Sequence, residues 1–399
     1  MGRSLRGSPD LSRRDFLSAA LLAPAVFWQQ TSTARFIGTV PLTAPGVTPP
    51  PFGRLLGDGL DARLFTDLSA LGAKSTIESA IRNPQSAMLT AADRFFVRTA
   101  SPRALPPSES WAVRIEGLGR EPVTLSLRDL EPLVSSTGRV LIECSGNADQ
   151  SSYGLISTAD WDGVPVAAVV ARLQPPAARY RILIAGRDDP GPSRTSIPGA
   201  SWIFSPDDLQ RAVFATRMNG APLLRDHGFP VRLIVPGWYG CSCIKWVDRI
   251  AIVPDDATAT TQMQEFAMRT HQDIARLRLR EPPLARDFIP AVIDTAAMPV
   301  RVEQWLAGGS IEYRITGIIW GGTTPTSALS IRFKANQPWM KVDNCAAPAS
   351  TLTWSLWSHT WRPEAPGRYQ IVLKVNDPKI RTRRLDLFFY VREINIDEI

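Results

Sequence analysis

The chain has 399 residues, of which 44% are hydrophobic and 21% charged, with a formal net charge of +7. That length predicts two or more domains with a full hydrophobic core, and the balance excludes a disordered chain, a collagen and a multi-span membrane protein. Four cysteines exclude a disulfide-built scaffold, three histidines leave little for a three-imidazole metal centre, and 34 prolines with 12 tryptophans point to short strands and long ordered loops.

Part of the positive charge sits at the start, where Arg3, Arg6, Arg13 and Arg14 outweigh Asp10 and Asp15. The densest basic runs elsewhere are Arg276, Arg278, Arg280 and Lys379, Arg381, Arg383, Arg384, which read as solvated faces. Zinc-finger spacing, aromatic-rich RNA motifs and basic heptads are all missing, so no nucleic-acid partner is expected.

In chain order, the first feature is Ser12-Arg13-Arg14-Asp15-Phe16-Leu17 ahead of an apolar run that ends near Trp28. A basic stretch followed by a short apolar one is too short to span a bilayer and reads as a signal peptide over residues 1–34. The Arg pair with Phe16 and Leu17 resembles the twin-arginine export signal. That system carries folded proteins, so it implies a cofactor inserted before export and a periplasmic destination.

Residues 35–88 form a Pro- and Gly-rich arm with helix-like spacing from Leu60 to Ile81. From residue 89 to 255 the texture is mixed α/β. Strands are predicted at Arg94–Arg98, Trp111–Ile115, Arg139–Glu143, Tyr180–Ile184, Phe229–Pro236 and Lys245–Val253, with a helix or turn at Leu125–Leu130 and a helix at Val164–Leu173. Asp255-Asp256 and Pro282-Pro283 bracket a linker helix over Thr261–Arg280, within residues 256–285. From 286 to 399, six short alternating segments (Val300–Leu306, Ser310–Ile319, Ser330–Lys334, Thr351–Trp357, Arg368–Val375 and Leu385–Val391) predict an immunoglobulin-like β-sandwich. The fold class is therefore α+β: a mixed α/β domain followed by a sandwich.

The chemistry concentrates in three segments. Ile142-Glu143-Cys144-Ser145-Gly146-Asn147 sets a cysteine at the end of a buried strand. Arg225-Asp226-His227-Gly228-Phe229-Pro230-Val231-Arg232 surrounds a Gly-Pro turn with polar groups. Pro236-Gly237-Trp238-Tyr239-Gly240 leads to Cys241, Ser242, Cys243 and Lys245-Trp246. Its glycines let backbone N–H groups approach an anion, and Arg98, His227, Arg232 and Lys245 together could neutralise a phosphate-bearing cofactor.

These segments together resemble the sulfite oxidase family of molybdopterin enzymes, over roughly Arg94 to Val253 and more weakly into the C-terminal region at Trp354–Tyr369. The resemblance implies molybdenum held by molybdopterin, with Cys144 as the thiolate ligand, a soft donor suited to a redox metal. It implies cofactor contacts from Phe96, Thr99, His227, Arg232, Ser242, Cys243 and Lys245, and a substrate-binding role for Arg98, whose guanidinium suits an oxyanion. It further implies a homodimer.

Several positions depart from the family pattern. Thr99-Ala100 replace Asn-His after the arginine, and Ala148-Asp149 replace two arginines after the C-x-G-N turn. An acid there repels a dianion, so Asp149 is read as orienting water or a less charged substrate. Cys241-Ser242-Cys243 stands where an arginine is usual, and the Pro-Gly-Trp-x-Gly loop looks closer to the sulfane dehydrogenase branch. The C-x-C pair reads as a packed loop near the pterin, with soft-metal binding or redox chemistry as alternatives.

The implied reaction is oxygen-atom transfer to a sulfur compound such as sulfite. The sequence carries no haem-attachment, Fe–S or Rossmann fingerprint, so a separate cytochrome c is the expected electron acceptor. Sulfoxide reduction, and a non-catalytic protein that kept the fold, are the alternatives.

Overall fold

The computed structural model describes residues 34–44, 52–71, 88–117, 120–147, 154–172, 175–188, 200–267, 270, 283–347, 350–387 and 390–399. The export signal, the 276–280 basic run and Asp149 lie outside the described residues.

The described residues are rich in sheet, with helices few and short. The first strand, β1 (Arg35–Val40), is followed by β2 (Ala112–Gly117), β3 (Arg120–Ser126), β4 (Ser135–Glu143), β5 (Ile156–Pro165), β6 (Tyr180–Gly186), β7 (Ser201–Phe204), β8 (Val213–Met218), β9 (Ala221–Pro222), β10 (Arg232–Ile234) and β11 (Val247–Pro254). Two sheets result. One runs β10-β8-β5-β4 with β9 on β8, and the other β3-β2-β11-β6-β7. Within the second, only β2 and β11 pair in parallel.

The end of β4 is a continuous apolar run, Val140-Leu141-Ile142, followed by Glu143, all four buried. A strand covered on both faces shows such runs instead of alternation. Its bed is a cluster containing Phe65, Phe95, Phe96, Ile142, Leu155, Trp161 and Ile234, with Cys144 among them. The α-helices are α1 (Leu127–Leu130), α2 (Val166–Arg172) and α3 (Thr261–Glu265). Ser126 and Asp129 form a reciprocal capping box at α1, and Thr260 Oγ1 accepts from Met263 N at α3.

The second half contains β12 (Ala296–Ala307), β13 (Ser310–Trp320), β14 (Leu329–Arg332), β15 (Met340–Lys341), β16 (Asn344–Cys345), β17 (Ser355–Trp361), β18 (Gly367–Val375) and β19 (Arg392–Ile396). They form two antiparallel sheets, β1-β12-β13-β17-β16 and β15-β14-β18-β19. Trp357, Trp361, Phe333, Tyr313 and Ile371 are buried together between them.

Several predicted elements differ. The Arg94–Arg98 strand is instead a 3-10 turn at Ala92–Arg94 and one bridge from Val97 to Leu64. Phe95 and Phe96 bury their rings, and the Phe96 N–H donates to Ser157 Oγ at 3.0 Å, so the apolar run serves a loop crossing the cleft. The Phe229–Pro236 strand shrinks to β10, because the turn at Gly228 and the cis Phe229–Pro230 bond occupy its start. Helix-like spacing from Leu60 yields, as far as residue 71, only 3-10 turns at Gly59–Asp61 and Leu68–Ala70. The predicted linker helix shortens to α3, which is capped at Phe266 and followed by a turn, and residues 268–269 and 271–282 lie outside the described residues. Leu385–Leu387 is a turn, and the last strand begins at Arg392. The arm is not merely extended: β1 adds an edge strand to the C-terminal sheet, and Leu64 then bridges back to Val97.

Candidate active site

Cys144 emerges from β4 into a tight turn. Its carbonyl accepts from Asn147 N at 2.9 Å, and its Sγ accepts from Gly146 N at 3.4 Å. The thiol lines a cleft whose empty space, open mouth included, is about 1100 Å³. Facing the same space are Phe96, Arg98, Thr99, His227, Arg232, Cys243 and Lys245. Segments more than 140 residues apart thus converge there, as the Lys245–Thr99 contact shows.

Lys245 is part-buried and donates to the carbonyls of Thr99 and Asp226, the latter at 2.9 Å, with its ammonium 4.3 Å from the Trp246 ring centroid. Burial lowers its pKa to about 7, opposed by Asp188 and Asp226. Arg232 is buried, donates to the His227 carbonyl at 3.1 Å and stacks over Trp161 at 5.2 Å. Burial lowers it to about 10, so it stays charged at neutral pH. Its Nε has no hydrogen-bond partner among the described residues, a condition that a buried donor keeps only at an energetic cost.

His227 Nε2 lies 2.7 Å from the Ala92 carbonyl. A carbonyl only accepts, so Nε2 carries the proton and Nδ1 is the lone-pair nitrogen. Burial, then the Arg232 and Lys245 charges, hold its pKa near about 4, so the ring is neutral through the physiological range.

Two glycines make this possible. Gly228 has φ +100°, and a Cβ there would sit 2.9 Å from Arg232 Cβ and 3.1 Å from Lys245 Cβ. Gly240 brings the Pro-Gly-Trp-x-Gly loop against β4, where a Cβ would lie 3.1 Å from Ile142 Cγ2.

Other residues part from their expected places. Ser242 is fully buried, and its hydroxyl donates to the Tyr239 carbonyl at 2.8 Å instead of lining the cleft, joining its own N–H on that oxygen within the 3-10 turn at Gly240–Ser242. Asp226 Oδ1 accepts from Ser101 N at 2.8 Å. Cys241 and Cys243 both face the cleft, and burial pushes both thiols up, so they stay protonated. No disulfide joins any of the four cysteines. Arg383, read as part of a solvated run, is buried in an ion pair with Glu143.

Sequence reasoning missed Asp61, Asp188, Gln262, Glu265 and Phe266, which also line the cleft, and Arg63, which donates to the Arg98 carbonyl at 2.7 Å. Asp188 follows the buried strand β6 as Cys144 follows β4, and a polar residue just past an apolar strand was the signal available. Asp61 and Arg63 carry no such mark, since their segment reads as arm.

Among the described residues no three His, Cys, Asp or Glu side chains gather to hold a metal. An organic cofactor that brings its own ligands would suit a metal at Cys144. The unpartnered Arg232 Nε, the part-buried Lys245 ammonium and the roomy cleft beside the Cys144 thiol fit an anionic cofactor of that kind.

Residues 100–261 match the profile of the oxidoreductase molybdopterin binding domain. Sulfite oxidase of Gallus gallus is 27% identical over 320 residues, 72% of this chain and 66% of that protein. Mitochondrial sulfite oxidase of Homo sapiens is 27% identical over 260 residues, covering 58% and 47%. Nitrate reductase [NADPH] of Beauveria bassiana is 32% identical over 167 residues, 38% of this chain and 18% of that protein. The chain thus spans from about half to two thirds of the sulfite oxidases it matches. The crystal structure of the sulfane dehydrogenase SoxCD from Paracoccus pantotrophus shares the fold, with a TM-score of 0.57 at 16% identity over 95% of this chain and 85% of that one.

Residues 100–261 thus match a molybdopterin-binding oxidoreductase domain, and the cofactor that this domain and the sulfite oxidase relatives imply is molybdenum bound to molybdopterin. Over a longer stretch the chain is similar to sulfite oxidases.

Proposed function

We propose that the protein transfers an oxygen atom to a small sulfur compound, an anion such as sulfite or a sulfane-bearing relative, and passes electrons to a separate cytochrome c in the periplasm. One observation carries this reading: Arg98 and the Cys144 thiol open onto the same cleft as the buried Arg232 and the part-buried Lys245. The bound molybdenum supplies the two-electron change and the transferable oxygen.

The chain's own residues have separable tasks. Cys144 would hold the metal as thiolate. Arg232, Lys245 and neutral His227 would hold the anionic pterin, with the lone pair on His227 Nδ1 available as an acceptor. Arg98 would orient the substrate, its backbone fixed by Arg63. The apolar wall of Phe95, Phe96 and Phe266 excludes water from one side. Asp149 would orient water or favour a less charged substrate. We further propose that residues 286–399 are an immunoglobulin-like dimerisation unit and that residues 1–34 direct twin-arginine export. The Arg13-Arg14 pair and the paired antiparallel sheets support these readings.

The test is an assay of molybdenum-loaded protein against sulfite, thiosulfate and dimethyl sulfoxide, with artificial electron acceptor and donor, beside Cys144→Ser. Oxidation of a sulfur anion, lost in the serine variant with the melting temperature retained, is expected. Reduction of the sulfoxide alone would reverse the proposed direction, and full activity in Cys144→Ser would refute the ligand assignment.

A further inference from the structure

Glu143 precedes Cys144 and is wholly buried, with its carboxylate fully engaged. Arg383, 240 positions away in the C-terminal half, grips it with two bonds, Nη1 to Oε1 at 2.7 Å and Nη2 to Oε2 at 2.6 Å. Trp320 Nε1 donates to Oε2 at 2.8 Å. Arg383 Nη1 also donates to the Tyr390 hydroxyl at 2.7 Å, and the guanidinium lies 5.1 Å from the Tyr239 ring centroid.

The same carboxylate reaches the metal-ligand turn. Asn147 Nδ2 donates to Glu143 Oε1 at 3.0 Å, while Asn147 Oδ1 accepts from Leu155 N at 2.8 Å. The Asn147 N–H closes the turn on the Cys144 carbonyl. A chain of direct contacts therefore runs Arg383, Glu143, Asn147, Cys144. Stability alone is a poor reason for such a pair, because well-packed apolar residues of similar volume serve as well or better. Partners one contact removed from a metal ligand, in contrast, fix its orientation and donor strength.

We propose that Arg383 is a positioning residue of the molybdenum site: acting through Glu143 and Asn147, it lets the C-terminal half set the orientation of the Cys144 thiolate. The proposal rests on the reading of Cys144 as the molybdenum ligand. Arg383 itself does not line the cleft.

The experiment compares holoenzyme carrying Arg383→Lys, Arg383→Met and the double variant Glu143→Gln/Arg383→Met. Arg383→Met leaves a buried carboxylate uncompensated and is expected to fold poorly, whereas the double variant removes both charges and keeps the volume. Molybdenum content, the thiolate-to-molybdenum absorption band, the Mo(V) resonance and steady-state rates are read. The double variant is expected to retain molybdenum but shift the band and resonance, with kcat falling about tenfold and KM within about twofold. Arg383→Lys is expected to restore part of both. A double variant with wild-type spectra and kcat would overturn the positioning role alone, leaving the pair as a brace between the halves. Wild-type protein with molybdenum but no thiolate band would overturn the ligand reading, and this proposal with it.

Discussion

Lys245→Met in the cofactor-free protein is a sharp test of the site's electrostatics. Burial lowers the folded pKa from 10.5 to about 7. Below pH 7 the ammonium is charged in both folded and unfolded chains, and the whole burial penalty is present. Between pH 7 and 10.5 the folded protein has released a proton that the unfolded chain keeps, so stability rises with pH. Above 10.5 both are neutral and the penalty is gone. The displacement corresponds to a penalty of about 5 kcal/mol at pH 6, falling to about 1 kcal/mol at pH 9.5. Methionine removes the penalty but also the bonds to the Thr99 and Asp226 carbonyls, each worth about 1 kcal/mol. Cofactor-free Lys245→Met should therefore be more stable than wild type by about 3 kcal/mol at pH 6, with no advantage at pH 9.5. Urea unfolding of both proteins at the two pH values measures this. A difference that is the same at both would refute the reasoning, since a pure packing change does not titrate. Loading reverses the ranking, because an anionic cofactor favours the charged lysine, and the variant should retain less molybdopterin.

Gly228→Ala forces a side chain onto φ +100° and into Arg232 and Lys245. It should cost about 2 kcal/mol and lower cofactor content, checked by thermal unfolding and molybdenum analysis. Arg98→Gln should raise KM for an anionic substrate about thirtyfold, the worth of about 2 kcal/mol from a charged hydrogen bond, while KM for a neutral sulfoxide stays near wild type. Equal loss for both substrates would refute a charge-based role.

The sequence by itself determined the cofactor segments. A cysteine after an apolar strand, the His227–Arg232 run and the glycine-rich loop ending in Lys245 are contiguous signals, and all three meet in one cleft. It also determined most strands of both halves, because burial on one or both faces leaves a local pattern of apolar residues. It misplaced Arg94–Arg98, since a buried loop with two phenylalanines looks like a strand until its hydrogen bonds are traced. Only the tertiary structure decided that Ser242 turns away from the cleft, that the arm joins the C-terminal sheet, and that Asp61 and Asp188 line the site. Above all it decided that Arg383, one charge in a basic run, is buried on Glu143 beside Cys144. Residue spacing reports what each segment buries, but an ion pair closed across 240 positions depends on where two halves of the chain are brought together, and no local pattern encodes that.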